Sequence, residues 1–114
     1  MDCLAGYANT LGVVVANETV NTHQAVKSGA PAVVRAVARD VRRYVRLLAA
    51  TSEVEESPSR KPRVLPVGVN SADVVSLQRP QFDYYMAALP GQEDDDDDGG
   101  PIDFFAVCIA LLQI

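Results

Sequence analysis

The chain has 114 residues, of which 48% are hydrophobic and 22% charged, and its formal net charge at pH 7 is −5. This composition is typical of a soluble globular protein and excludes wholesale disorder, and the length suits one domain with a modest core. The charge is uneven, because Glu93–Asp98 and Asp103 hold seven of the fifteen acidic residues.

The first predicted element is a helix over residues 2–27. Leu4, Tyr7, Leu11 and Val15 belong to a set of apolar residues that recur at helical spacing. The run Val13–Val15 and two nearby glycines also permit a strand, but we favour the helix. Residues 28–31 read Ser-Gly-Ala-Pro, which suits a helix end followed by a helix start. We therefore predict a mostly α fold built on a helical hairpin, with a second helix over residues 31–55.

This second helix has two faces of different chemistry. Its arginines fall within an arc of about 100° and form a candidate site for an anion or a partner: Arg35, Arg39, Arg42, Arg43 and Arg46. Its large apolar residues fill the opposite arc: Val33, Val34, Val37, Val41, Tyr44, Val45, Leu47 and Leu48. We expect the apolar arc to pack in a core or an oligomer seam and the arginines to face water.

The middle of the chain is predicted to be less regular. Residues 57–63 are polar, basic and rich in proline, which indicates a loop. Residues 64–69 form an extended segment along the hairpin, and two prolines and Gly68 argue against a central strand there. Asn70 or Ser71 can cap a short helix that ends near Gln78. Pro80 can open another helix through Leu89, with an inner face of Phe82, Tyr85 and Leu89.

The C-terminal part combines an acidic run with an apolar tail. We expect three units: a single helical domain at 1–90, an acidic flexible linker at 91–100 and an apolar segment at 101–114. The tail is too short to span a bilayer as a helix. It should dock on its own chain, a second copy or another protein, either as a helix opened by Pro101 or as a buried strand. The predicted interface consists of Phe104, Phe105, Val107, Ile109, Leu111 and Leu112.

The sequence offers few groups for catalysis or metal binding. Cys3 and Cys108 are far apart in sequence and His23 is the single histidine, so we expect neither a metal site nor a cofactor. The serines and glycines form no nucleophile elbow or phosphate-binding loop. We also expect an intracellular location because no signal peptide or transmembrane segment is evident. Asn17-Glu18-Thr19 is then an unmodified sequon, since glycosylation requires secretion.

These observations predict a non-enzymatic helical module for protein–protein interaction or assembly, working as a homo-oligomer or as a subunit of a complex. The alternative is an accessory protein that binds nucleic acid through its arginines; membrane binding is disfavoured. In either case an acidic masking segment, Asp94, Asp95, Asp96, Asp97 and Asp98, would cover the arginine face until a competitor displaces it.

Overall fold

The computed structural model describes residues 6–20, 23–51, 62–71, 79–87 and 100–107. In chain order the elements are β1 (Val13–Asn17), α1 (His23–Val26), α2 (Ala30–Thr51), β2 (Val67–Ser71), α3 (Arg79–Met86) and β3 (Phe104–Val107). The three strands form one parallel sheet in the order β1-β2-β3. Helices connect successive parallel strands, which is an α/β arrangement. The predicted mostly α fold with a helical hairpin is therefore wrong.

The N-terminal segment contains a strand where we predicted a helix. Val13 pairs with Val67 and Asn17 with Asn70, with a register irregularity between Val14 and Ala16. A run of β-branched side chains fits a pleated sheet better than a helix, so the strand alternative applies to residues 13–17. Residues 2–5 and 21–22 of the predicted helix lie outside the described residues.

The segment with two prolines supplies the central strand, contrary to our prediction. Pro62 and Pro66 both precede β2, so neither removes a hydrogen-bond donor from its ladders. Val67 and Val69 are buried. Hydrophobic residues at these positions are expected, because their side chains lie on the face of the sheet that α2 and α3 cover.

Helix α2 forms as predicted from the periodicity, over Ala30–Thr51, and residues 52–55 lie outside the described residues. Its buried face, however, differs from the predicted one. Ala38 is 0% exposed, whereas Val33 is 63% and Leu47 60% exposed. The centre of the buried face lies at Ala38, about 100° around the helix from the centre of the large apolar arc. A small side chain at the centre lets the helix approach the sheet closely.

The main core lies between the sheet and the helices. It consists of Val34, Ala38, Val67, Val69, Tyr85 and Ile102. A smaller cluster joins Val45 of α2 to Leu65. Burial of these side chains supplies the main driving force for this packing, at about 1.5–3 kcal/mol for each large apolar side chain.

The C-terminal residues return to the sheet as β3. Gly68 of β2 pairs with Phe104 and Ser71 with Val107, so the strand alternative for the tail is confirmed over these residues. Phe105 lies 6.1 Å from Tyr85 and 6.3 Å from Phe82, measured between ring centroids. The aromatic inner face predicted for the helix at Pro80 thus contacts the tail of the same chain. Residues 72–78, Leu89 and residues 91–99 of the predicted acidic linker lie outside the described residues.

One face of the sheet points away from α2. Val14, Gly68 and Phe104 are register partners across the three strands, and their side chains therefore share that face. Val14 is 48% exposed. A β-carbon built on Gly68 would lie 2.5 Å from the Phe104 ring, so the ring lies directly over the glycine. The absence of a side chain at position 68 is what permits this contact.

Candidate functional site

Parallel strands bring their carboxyl ends to one edge of the sheet, and this edge is where α/β folds place their ligand and catalytic groups. β1 ends at Asn17 and β2 at Ser71. Glu18 follows β1 directly and is exposed. The sequence places a carboxylate, two amides and a hydroxyl at this edge. We define the candidate site by Asn17, Glu18, Asn70 and Ser71.

Glu18 has an uncommon backbone conformation. Its φ is 54°, in the left-handed region that residues with a β-carbon rarely adopt. The Glu18 amide donates to the Asn70 carbonyl oxygen at 2.9 Å. The Asn70 side-chain amide donates to Asn17 Oδ1 at 2.6 Å. These two hydrogen bonds link the turn after β1 to the end of β2, and they fix where the Glu18 carboxylate leaves the backbone.

A small cavity lies beside this edge, between the sheet and α3. Its lining includes Thr19, Asn70, Ser71, Gln81 and Tyr85. The buried Oε1 of Gln81 has no hydrogen-bond partner among the described residues. Burial raises the pKa of Tyr85 to about 12, with a smaller contribution from Tyr84. Tyr85 is therefore a neutral hydroxyl at physiological pH and supplies no base to the site.

The opposite edge of the sheet holds an ion pair that supports the fold. Arg42 Nη2 lies 2.9 Å from Asp103 Oδ1, and Arg42 also donates to the carbonyl oxygen of Gly100. Asp103 Oδ2 accepts a hydrogen bond from the Val67 amide at 2.8 Å. Asp103 thus joins α2, β2 and β3 where the strands begin. In α/β folds this edge contributes to stability rather than to chemistry.

The five arginines of α2 do not form one outward-facing patch. Arg35 is 8% exposed, donates to the Ala87 carbonyl oxygen at 2.6 Å and lies 4.7 Å from the centre of the Tyr84 ring. Arg42 is held by Asp103. Arg39 pairs with Asp40 at 2.8 Å. Arg43 is exposed and Arg46 is half-buried.

The predicted binding of an anion or a partner by the five arginines stays a prediction. The roles predicted for the acidic masking segment and for the apolar interface residues stay predictions as well. The acidic masking segment and the interface residues Ile109, Leu111 and Leu112 lie outside the described residues. Phe104 and Phe105 contact their own sheet and helices. No helix in the described parts of the chain combines the length and apolar character needed to cross a bilayer.

Sequence reasoning missed Glu18, although two signals were available. A short apolar β-branched run, residues 13–15, precedes an Asn-Glu pair, and a second such run, residues 64–69, follows the long helix. Strand-like runs that alternate with helical patterns indicate a parallel sheet. Polar residues directly after such strands would then lie at the carboxyl edge, where Glu18 is found.

Comparison with known proteins gives an independent result. Residues 1–109 match a family described as Glucanosyltransferase. The chain is 37% identical over 106 residues to 1,3-beta-glucanosyltransferase gel1 of Aspergillus fumigatus, covering 93% of this chain and 19% of that protein. It is 29% identical over 85 residues to 1,3-beta-glucanosyltransferase GAS5 of Saccharomyces cerevisiae, covering 75% of this chain and 15% of that protein. No solved structure matches the chain.

These matches correct our functional predictions. The family and both relatives carry the names of enzymes, so the prediction of a non-enzymatic helical interaction or oligomerisation module is wrong. The alternative function, a nucleic-acid-binding accessory protein, is overturned by the same matches, whereas the predicted partners, another protein or a second copy and nucleic acid, stay predictions. The chain spans less than a fifth of the length of either relative.

Proposed function

Because this chain belongs to the glucanosyltransferase family, we propose that it forms part of the catalytic unit of an enzyme that transfers glucan chains. The substrate class we propose is a 1,3-β-glucan, which both relatives carry in their names. Glu18 supplies one of the two carboxylates that the reaction needs. The observation that carries this proposal is the position of Glu18 in a left-handed turn at the carboxyl edge of the parallel sheet.

Glycosyl transfer places specific demands on a carboxylate. One carboxyl group protonates the oxygen of the leaving sugar and later accepts a proton from the incoming hydroxyl, while a second forms a covalent bond with the anomeric carbon. Either role requires an accessible group at a fixed position. Glu18 is exposed, and the Asn70 contacts fix the backbone from which its side chain extends.

The other described acidic residues are placed differently. Asp103 is engaged at the opposite edge by Arg42 and the Val67 amide. Asp40 is paired with Arg39 on the exposed side of α2. Neither arrangement presents a carboxylate to a sugar at the carboxyl edge. Asp83, the remaining described acidic residue, lies within α3 and not at the end of a strand. Glu18 is therefore the acidic residue that we assign to transfer.

Transfer can be measured directly. A chimera in which this chain replaces the matching segment of the Aspergillus relative, and which therefore contains the rest of that enzyme, is incubated with reduced 1,3-β-linked glucose oligosaccharides, and mass spectrometry is used to look for products longer than the substrate. We expect elongated products from the unaltered chimera and none from Glu18→Gln, whereas the control Asp40→Asn keeps the activity. Elongated products from a folded Glu18→Gln chimera at the unaltered rate contradict the proposal.

The role of Glu18 in the pair can be resolved with Glu18→Ala and added azide. If Glu18 is the acid and base, azide attacks the covalent intermediate and gives a glycosyl azide of retained configuration. If Glu18 is the nucleophile, azide occupies its place and gives the inverted configuration. Nuclear magnetic resonance of the anomeric proton distinguishes the two products.

The cellular location of the protein is part of the same proposal. The family relationship favours passage through the secretory route over the intracellular location that we predicted.

A further inference from the structure

We propose that Asn70 is a positioning residue for glycosyl transfer, because its side-chain amide fixes which end of the Asn17 amide is available beside Glu18. Asn70 Nδ2 donates to Asn17 Oδ1 at 2.6 Å. A primary amide has one acceptor end and one donor end. Since Asn70 binds the acceptor end, the Nδ2 donor is the end of Asn17 that stays available to a substrate. This inference rests on the proposed function, in which Glu18 acts on a glucan.

The sheet places the two asparagines side by side. Asn17 and Asn70 are register partners on the neighbouring strands β1 and β2, so their side chains lie on one face of the sheet. Asn70 comes two residues after Gly68, and alternate residues of a strand share a face. This face is therefore the one that points away from α2. On β3 the register partner of Asn70 is Ala106, whose small side chain leaves space beside the pair.

Asn70 contacts the turn after β1 through two different groups. Its main-chain carbonyl oxygen accepts a hydrogen bond from the Glu18 amide at 2.9 Å, whereas its side chain binds Asn17. The main-chain contact does not depend on the residue type at position 70, because every amino acid supplies a carbonyl group. The side-chain contact requires a donor within reach of Asn17 Oδ1. A substitution at position 70 therefore releases Asn17 and leaves the main-chain contact with Glu18 in place.

The contact matters because Asn17 is exposed. An exposed asparagine without a partner samples several rotamers, and it can turn its amide over, which exchanges the donor and the acceptor. A polar group lowers the barrier of a reaction most when it is already in place as the transition state forms. Asn17 directly precedes Glu18, so a fixed donor at this position lies next to the carboxylate that acts on the sugar.

Two variants of the chimera with the Aspergillus relative separate the side-chain contact from the rest of the site. Asn70→Ala removes the donor. Asn70→Asp keeps the shape of the side chain but replaces the donor by an acceptor, so the Asn17 amide should turn over and donate its Nδ2 to the new carboxylate. Asn9→Ala, at an exposed asparagine before β1, is the matched control.

Crystal structures of these chimeras report the position of Asn17 without any activity assay. We expect one ordered Asn17 side chain in the unaltered chimera and in Asn9→Ala. In Asn70→Ala we expect this side chain to be displaced or to occupy several positions, while the main chain at Glu18 is unchanged. An Asn17 side chain that keeps its place in Asn70→Ala overturns the proposal, whether or not the chimera transfers glucan.

Transfer kinetics then test the role of Asn70 in the reaction. The kcat for transfer should fall about tenfold in Asn70→Ala, with KM changed less than about twofold. In a chimera that already carries Asn17→Ala, the same substitution should change kcat less than about twofold, because the group through which Asn70 acts is gone. Equal losses in the two backgrounds would indicate a purely structural role and overturn the proposal. Full activity of Glu18→Gln would instead contradict the proposed function and leave the observed position of Asn17 untouched.

Discussion

The guanidinium of Arg42 on α2 and the carboxylate of Asp103 before β3 form an ion pair, with 2.9 Å between Nη2 and Oδ1. The side chain of Arg42 is 13% exposed and that of Asp103 31%, so the pair is shielded from water much more than a surface pair. Asp103 also accepts from the Val67 amide and donates its own amide to the Val67 carbonyl oxygen. The pair therefore fixes both the position of α2 and the start of two strands.

Replacement of this carboxylate is expected to weaken the fold. Asp103→Ala removes the partner of a largely buried guanidinium and the acceptor of a main-chain amide, so the free energy of unfolding should fall by about 2–3 kcal/mol. Urea unfolding followed by circular dichroism measures the change. The matched control is Asp40→Ala, which breaks an exposed pair and should change stability by less than about 0.5 kcal/mol. Equal effects of the two substitutions would contradict the role given to Asp103.

Arg35 is expected to behave as a core residue. Arg35→Ala removes the hydrogen bond to Ala87 and the contact with the Tyr84 ring, and it should lower stability by about 2 kcal/mol. Arg39→Ala breaks the exposed pair with Asp40 and serves as the control with an effect near zero. If the two variants unfold at the same urea concentration, the burial of Arg35 has no energetic role.

Replacement of Gly68 is expected to displace the Phe104 ring. A β-carbon at position 68 would lie 2.5 Å from that ring, so Gly68→Ala should lower stability by about 1–3 kcal/mol. Gly29→Ala is the control, because no atom lies within 4 Å of a β-carbon there. Thermal unfolding compares the two. The double variant Gly68→Ala with Phe104→Leu should be more stable than the sum of its single effects predicts.

Glu18 is expected to lower stability through its backbone conformation. Glu18→Gly removes the carboxylate and relieves the left-handed strain, which should raise the free energy of unfolding by about 1 kcal/mol relative to Glu18→Ala. Both variants lack the carboxylate, so their difference reports the backbone alone. Chemical unfolding provides the measurement, and a Glu18→Gly chain no more stable than Glu18→Ala would count against strain at this turn.

Tyr85 is expected to make stability fall in alkaline solution. Burial raises its pKa from 10.0 to about 12 in the folded chain, so the unfolded chain loses this proton first as the pH rises. The stabilisation that results from the shift is fully present below pH 10 and is lost as the pH rises through about 12. Tyr85→Phe should remove this part of the pH dependence between pH 10 and 12, whereas Tyr84→Phe should retain it.

The sequence predicted α2 but not the direction of its arginines. Helical periodicity is a local property, so residues 30–51 could be recognised without knowledge of the fold. The partners of Arg35 and Arg42 are Ala87, Gly100 and Asp103, which lie more than fifty residues later in the chain. A helical wheel also favours large apolar side chains, whereas the sheet packs against Ala38. Long-range contacts, which no local pattern contains, decided the orientation.

The candidate site was missed because β1 was interpreted as part of a helix. Residues 13–17 satisfy a helical and a strand pattern almost equally, and pairing with β2 decides between them. Once the strand is assigned, the place of Glu18 follows from the direction of the sheet. The left-handed turn and the Asn17–Asn70 hydrogen bond depend on contacts between distant residues, and they required the three-dimensional structure.

The common direction of the three strands also has a consequence for protein engineering. Asp103 and Glu18 are at opposite ends of the strands, so the residues that directly follow β1 can be replaced while the contacts of Asp103 stay intact. A combinatorial library confined to residues 18–20 would therefore vary the carboxyl ends of the strands without the loss of stability that substitutions at Asp103 cause.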